Sequence, residues 1–367
     1  MKKTAVMYSA GKIGRGFIGA LMAESGYEVV FIDMVPALID MLNETHSYSI
    51  QYVDGDKSTQ TVTGVRAVNG RDADAVAEEI ANAEILATSV RAENLVRIAP
   101  LLAKGIRLRI QKSGRPLNIL ICENLMDASK FLRPLLEEHL TQEEMAYVGL
   151  IETSIGRMVP DQNDPSVIRT ESYCHLPVDK DAFVGPIPYL AHMEPYSPFR
   201  FCVERKLFIH NMMHAVSAYL GMRKGYSYIH EALADEEIRV VARGAVLESA
   251  HALAAKYNMP EDELLAHAED ILVRLSNPAL MDTCERVGAD IPRKLAYDDR
   301  LVGAARNVLE QGNEPKCICT GIAAGLVQLL KEKDLPREEA ANQLYALSSL
   351  DADHPIARMA MEIFETL

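Results

Sequence analysis

The sequence predicts an α/β domain built on a parallel sheet over residues 1–199, followed by a mostly α-helical domain over residues 200–367. Three observations carry that expectation. Short, continuously apolar runs (residues 4–8, 84–90, 117–122 and 146–154) recur in the first half, with the length and character of strands buried on both faces. A glycine-rich turn links the first of these runs to a helical pattern. From Arg205 onward the apolar residues repeat at helix spacing over long stretches, with almost no strand pattern. At 367 residues the chain is also longer than one core usually grows.

Bulk properties narrow the function. A composition of 49% hydrophobic and 25% charged residues is that of a soluble globular protein. The net charge of −14, without any basic run, argues against nucleic acid or an anionic membrane as the main partner, so an anionic substrate needs a local basic cluster. No window reaches the roughly 18 apolar residues of a membrane span. Lys12 and Arg15 interrupt the first apolar run too early for a signal peptide, and a cytoplasmic chain is expected. The six cysteines are scattered, and Cys317-Ile-Cys319 lacks zinc or redox spacing, so reduced thiols and no metal site are expected. Monomer and dimer both remain open.

In chain order, Thr4 to Tyr8 reads as a buried strand and runs through Ser9-Ala-Gly11-Lys12-Ile13-Gly14-Arg-Gly16-Phe-Ile-Gly19 into a helix. Residues 27–33 form a second strand that ends in Asp33. Strand, glycine turn, helix, strand and acid in succession is the Rossmann-type dinucleotide signature. Gly11 and Gly14 allow close backbone approach to a pyrophosphate, and the helix N-terminus presents free N–H groups to it. Asp33, 22 residues after Gly11, suits ribose hydroxyls and repels a 2′-phosphate, which favours NAD. Ser9 stands at the first glycine of the fingerprint and can make the turn only with a negative or strained φ.

Residues 47–53 and 59–65 alternate around Asp54-Gly55 and predict an inserted hairpin. A helix over 72–83, a strand over 84–90 and a helical stretch to Lys104, kinked or restarted at Pro100, follow. The strand over 117–122 ends at Glu123-Asn124, and strand ends in such sheets face the ligand crevice, which makes Asn124 a candidate for the nicotinamide or substrate oxygen. A helix over 131–139 tolerates Pro134 only in its first turn. A strand over 146–154 leads to Arg157, and residues 160–198 hold seven prolines among short strand-like pieces. Helices are then expected over 204–220, 236–256, 261–275, 299–310, 321–333, 338–347 and 355–367.

The first of these helices carries the chemistry. At 100° per residue Lys206, Asn211 and His214 fall at about 0°, 140° and 80°, within about 12 Å along the axis. An amine with a lowered pKa can take a proton, an amide can donate to a developing oxyanion, and an imidazole can orient a hydroxyl. A snorkelling Lys, a capped Asn and a core His on an amphipathic helix give the same spacing.

Gly11-Lys-Ile-Gly14-Arg-Gly16-Phe-Ile-Gly19, Cys122-Glu-Asn-Leu125, Val203-Glu-Arg-Lys-Leu-Phe208 running into Asn211-x-x-His214, Glu285-Arg-Val-Gly288, Arg293-Lys-Leu295 and Asp299-Arg-Leu301 extend over nearly the whole chain. In these motifs the sequence resembles the polyol-specific long-chain dehydrogenases, the mannitol dehydrogenase family. The resemblance implies metal-independent, NAD-dependent interconversion of a polyol phosphate and a keto sugar phosphate, mannitol 1-phosphate and fructose 6-phosphate. Lys206 is then the general base, Asn211 and Asn124 hold the oxygen, and His214 positions the substrate in a cleft between the domains. Ser9, Gly11, Lys12, Ile13, Gly14, Asp33, Val90 and Asn124 would bind NAD. Arg293, Lys294 and Arg300 form the nearest basic cluster for a substrate phosphate. The chain departs from the family pattern at Ser9, at Lys12 and Arg91, which stand where Asn and Gly are usual, and at Met212-Met213, which replaces a smaller pair. Reduction of a keto sugar acid or an unphosphorylated ketose would use the same base and cofactor. A sugar-binding paralogue without turnover is the reading outside enzymology.

Overall fold

A computed structural model describes residues 2–160 and 166–367, and its backbone divides into two compact units, Met1–Arg200 and Phe201–Leu367. In the first unit six parallel strands, β1 (Thr4–Tyr8), β2 (Glu28–Asp33), β5 (Val65–Asn69), β6 (Ile85–Thr88), β7 (Leu117–Ile121) and β8 (Val148–Glu152), form one sheet in the order β5-β2-β1-β6-β7-β8. The strand order reverses direction between β1 and β6, the switch point at which such sheets open a crevice. Alternate residues of one strand serve opposite faces: Ala5 and Met7 pack into one core with Phe17, Phe31 and Tyr48, while Val6 and Tyr8 pack into the other with Ile80, Leu102 and Leu132. Both faces being covered is why these strands read as uninterrupted apolar runs.

The hairpin forms as expected from β3 (Ser47–Tyr52) and β4 (Thr59–Thr63), but a third strand, β9 (Val167–Thr170), adds to β3 in parallel. The expected strand over residues 59–65 ends at Thr63, and Val65 instead opens β5 of the main sheet, with Gly64 at φ +76° making the turn between them. A two-stranded sheet of β10 (Leu176–Asp179) and β11 (Met193–Tyr196) completes this unit. Residues 161–165 of the proline-rich stretch lie outside the described residues.

Two helix expectations need correction. The helix after β6 runs from Ala92 to Ser113 with Pro100 inside it, nine residues past Lys104. Its inner face of Leu95, Ile98, Ala99, Leu102, Ala103 and Ile106 is buried, and that packing outweighs the hydrogen bond lost at proline. The helix Ala128–Glu137 begins three residues earlier than expected, which puts Pro134 in its second turn, where burial of Leu132 and Leu136 holds the helix together.

The second unit is helical throughout. Its core helices, Met212–Lys224, Glu236–Tyr257 and Lys316–Lys333, pack on one another. They approach closely because Gly321 sits against Val216, where a Cβ would come within 2.5 Å. Short helices that the periodicity did not predict, Ile229–Ala234, Cys284–Gly288 and Ile291–Lys294, bridge the long ones. Among the described residues, no helix is long and apolar enough to cross a membrane.

Candidate active site

In the first unit the site begins where β1 ends. Ser9 adopts φ +90°, the strained option for a non-glycine residue, and its N–H donates to Ile32 O at 2.8 Å while its Oγ accepts the Gly11 N–H at 3.2 Å. The close approach falls at Gly14, where a Cβ would lie 2.1 Å from the Ser9 carbonyl oxygen. The helix that follows contains a π turn over Gly14–Ile18, closed by Gly19 N–H donating to Gly14 O. Gly19 is needed there because a Cβ would meet Gly14 O and the Phe31 ring, each at 2.6 Å. Arg15 points inward: its Nε donates to Ala10 O at 2.6 Å, and its charge lies near Asp33 and Tyr48.

Asp33 locks the same turn. Its Oδ2 accepts the Ala10 N–H at 2.7 Å, and its Oδ1 accepts those of Met34 and Val35 at 2.7 and 3.0 Å. Beside it a cavity of about 320 Å³ opens at the carboxyl ends of β1, β2 and β6, lined by Ser9, Asp33, Met34, Gly70, Val90, Asn94, Arg97 and Leu101 among others. Ser9, Asp33 and Val90 are thus brought together. Gly11, Lys12, Ile13 and Gly14 form the adjoining turn and the start of the helix, with Lys12 exposed. Sequence reasoning missed Asn94 and Arg97, although Asn94, Arg97, Ile98 and Leu101 follow the i, i+3, i+4, i+7 spacing of one helix face. Arg91, immediately before that helix, takes φ +70°, a conformation that favours glycine.

Glu123 was also unassigned beforehand. It is 7% exposed and accepts from Thr88 Oγ1 at 2.8 Å and from the Val90 N–H at 2.9 Å, which pins the end of β6 to the end of β7. Burial pushes its carboxyl above the usual range against the pull of those hydrogen bonds. Asn124 follows it, exposed beyond the end of β7.

In the second unit Lys206–Asn211 forms a π turn between the helices Arg200–Arg205 and Met212–Lys224. A π turn closes its hydrogen bond over five residues, so it rotates less than 100° per residue. The five steps from Lys206 to Asn211 therefore come nearer to one full turn than the 140° offset of regular helix, and the two side chains share a side more closely. Lys206 is partly buried, and burial together with the Arg300 charge pushes its amine down to about 8. No carboxylate pairs with it among the described residues. Arg300 binds Asp299 Oδ1 through Nε at 2.8 Å. Lys294 is 5% exposed, and its amine is also pushed down to about 8, by burial first and then by Arg300 and Arg293. Arg293 is exposed and held by Asp290 at 2.5 Å and Asp299 at 3.5 Å. Of the three expected phosphate ligands, Arg300 lies near enough to act on both the Lys206 and the Lys294 amines, whereas Arg293 is exposed and held by two carboxylates.

His210 is buried and its imidazole is kept well below the usual range, by desolvation first and by His214 next. The two rings are 6.1 Å apart. His214 Nε2 lies 3.2 Å from Asp282 Oδ2. Among the described residues no group of three or more His, Cys, Asp or Glu side chains could hold a metal ion.

Comparison with known proteins agrees with this layout. The profile of the mannitol dehydrogenase Rossmann domain matches residues 3–192, and that of the mannitol dehydrogenase C-terminal domain matches residues 197–347. A mannitol-1-phosphate 5-dehydrogenase of Brevibacillus brevis (strain 47) is 37% identical, covering 98% of this chain and 96% of that protein. Among solved structures, a D-sorbitol dehydrogenase in substrate-free form shares the fold with a TM-score of 0.81 at 13% identity, covering 100% of this chain and 93% of that one. Pseudomonas fluorescens mannitol 2-dehydrogenase, solved as a ternary complex with NAD and D-mannitol, does so with a TM-score of 0.73 at 15% identity, covering 100% and 92%. With both domain profiles and a near-full-length relative matched, the chain belongs to the mannitol dehydrogenase family of oxidoreductases.

Proposed function

We propose that this chain is a cytoplasmic NAD-dependent dehydrogenase that interconverts mannitol 1-phosphate and fructose 6-phosphate, with Lys206 as its general acid–base group and no metal. The observation that carries the reading is the Lys206 amine, which has no carboxylate partner among the described residues and is pushed down to about 8 from the usual ~10.4 by burial and the Arg300 charge. An amine poised near working pH can accept a proton in one direction and return it in the other.

The first unit suits a dinucleotide. Gly14 lets the Ser9 carbonyl pack against the helix start and so closes the turn, the turn is held by Asp33 and Arg15, and the cavity beside it takes an adenosine moiety. Asn124 serves the nicotinamide end. Three of the roughly four acceptor positions of Asp33 are committed to backbone N–H groups, which leaves one for a ribose hydroxyl. When bound, the oxidised nicotinamide supplies the hydride acceptor. In polyol oxidation the hydroxyl proton passes to Lys206 Nζ as the carbon gives up its hydride, and the Asn211 amide donates to the oxygen as it gains negative character. Lys294 and Arg300, whose charges Asp290 and Asp299 partly offset, receive the phosphate. The 37% identical relative named for this activity supports the same substrate pair.

The test is NADH oxidation by the purified protein with fructose 6-phosphate, fructose and a keto sugar acid side by side. Fructose 6-phosphate is expected to give the highest kcat/KM. A higher value with either other compound moves the activity to that substrate class, and absence of NADH binding overturns the dehydrogenase reading.

Asp33→Asn supplies a second check on the cofactor turn. The amide turns an NH₂ toward backbone N–H donors on one side or the other, so unfolding free energy is expected to fall by about 1–3 kcal/mol. The preference for NADH over NADPH is expected to narrow as the negative charge is lost. Urea denaturation and cofactor titration measure the two effects, and an unchanged preference would remove Asp33 from the ribose contact.

A further inference from the structure

The imidazole of His214 has two nitrogens, and only one of them faces an anion. Nε2 is enclosed and lies 3.2 Å from Asp282 Oδ2, bent away from full hydrogen-bond geometry, with no other acceptor bonding it among the described residues. Asp282 sits in a held loop. Its Oδ1 pairs with Arg286, its carbonyl accepts the Ile229 N–H at 2.9 Å, and its neighbour Thr283 caps the next helix by accepting the Arg286 N–H at 3.2 Å. Met281, immediately before it, takes φ +53°, a conformation that costs free energy and persists only where the surroundings hold it. Burial would raise the Asp282 carboxyl, yet the nearby His214 and the charge of Arg286 bring it below its ordinary value.

A partly buried carboxylate facing one ring nitrogen sets which of the two nitrogens carries the proton. We propose that Asp282 is a positioning residue for His214: its negative charge, 3.2 Å from Nε2, keeps the ring proton on that nitrogen and leaves Nδ1 bare as the acceptor for a substrate hydroxyl. The substrate half of this assignment rests on the dehydrogenase reading above. Asp282 touches no reacting atom; it acts through the imidazole. The alternative is a plain structural ion pair with Arg286, in which the His214 contact is incidental.

The decisive experiment combines kinetics with ¹⁵N NMR of histidine-labelled protein, in wild type and Asp282→Asn, with the His214 signals identified by their loss in His214→Gln. In wild type, His214 is expected to carry its proton on Nε2, with Nδ1 unprotonated. In Asp282→Asn the tautomers mix. KM for fructose 6-phosphate is then expected to rise ~10-fold, as for loss of other partners that orient a ligating imidazole, with kcat and NADH affinity near wild type. A wild-type spectrum with the proton on Nδ1 overturns the assignment and needs no variant. So does an Asp282→Asn protein in which kcat and NADH affinity fall and KM rises together while the tautomer is unchanged, the mark of a merely structural role. A wild-type chain that binds NADH but turns over none of the sugars overturns the dehydrogenase reading instead, and the spectrum then decides the Asp282–His214 pairing by itself.

Discussion

Lys206→Ala is expected to lower kcat for fructose 6-phosphate reduction by ~100-fold or more, the usual loss when a general acid–base group is removed. The expectation follows from where the amine titrates. Burial and the Arg300 charge disfavour its protonated form, so the folded pKa falls to about 8 from an unfolded value near 10.4. The unfolded chain therefore holds more protons between those two values, and stability contributed by this group rises with pH across that window. Below it, the folded protein carries a charged amine that no carboxylate pairs with among the described residues. Replacing Lys206 by Ala should thus leave stability intact at neutral pH, so a lost rate cannot be assigned to unfolding. Lys206→Arg separates charge from proton transfer. It keeps the cation, but a guanidinium does not give up its proton near neutral pH, and the rate should stay low. Recovery of most activity in the Arg variant would reduce Lys206 to an electrostatic role.

Gly14→Ala is expected to weaken NADH binding about tenfold or more. The new Cβ would stand 2.1 Å from the Ser9 carbonyl oxygen and 3.2 Å from its carbonyl carbon, both backbone atoms that cannot swing aside. Ser9 is already at φ +90°, and its N–H is tied to Ile32, so relief must come from moving the turn itself. Overpacking of this kind costs about 1–3 kcal/mol, which spans about a tenfold change in affinity or more. Gly11→Ala is the internal control. Its Cβ would meet only the Ser9 Oγ at 3.2 Å, the end of a side chain that can rotate. Fluorescence titration with NADH should rank the losses with Gly14→Ala well above Gly11→Ala. The reverse order would mean that the close approach in this turn lies elsewhere.

What could be read in advance follows from how each element is held. β1, β2, β6, β7 and β8 are buried on both faces, so their apolar runs are continuous and plain in the sequence. β5 is the edge strand of the same sheet, with Arg66 and Val68 only partly buried, and it follows β4 after a single glycine. Its alternation merged with that of the hairpin and could not be separated by pattern alone. The glycine turn was legible because Gly-rich sequence between strand and helix has few other uses, and Ser9 resolved into the strained of its two options. The π turn over Lys206–Asn211 was not legible, because apolar spacing does not distinguish four residues per hydrogen-bonded turn from five. Asn94 and Arg97 carried a readable helical spacing that pointed to the cavity. Asp282 and Glu123 carried none. Their partners, His214 and the Thr88–Val90 segment, are distant in sequence, and only tertiary packing brings each carboxylate to them.

The proton-transfer role of Lys206 is tested most directly by the pH dependence of kcat/KM in both directions with the wild-type protein. Oxidation of mannitol 1-phosphate needs the neutral amine, and reduction of fructose 6-phosphate needs the protonated one. The oxidative limb should therefore rise and the reductive limb fall through a common inflection near 8, and the rise of the oxidative limb should vanish in Lys206→Ala. Opposite slopes are what single out Lys206, because loss of the Lys294 charge, also near 8, lowers both directions alike. Two limbs that move in the same direction in the wild type, or an oxidative limb that still rises through 8 in Lys206→Ala, would contradict the assignment of Lys206 as the group that moves the proton.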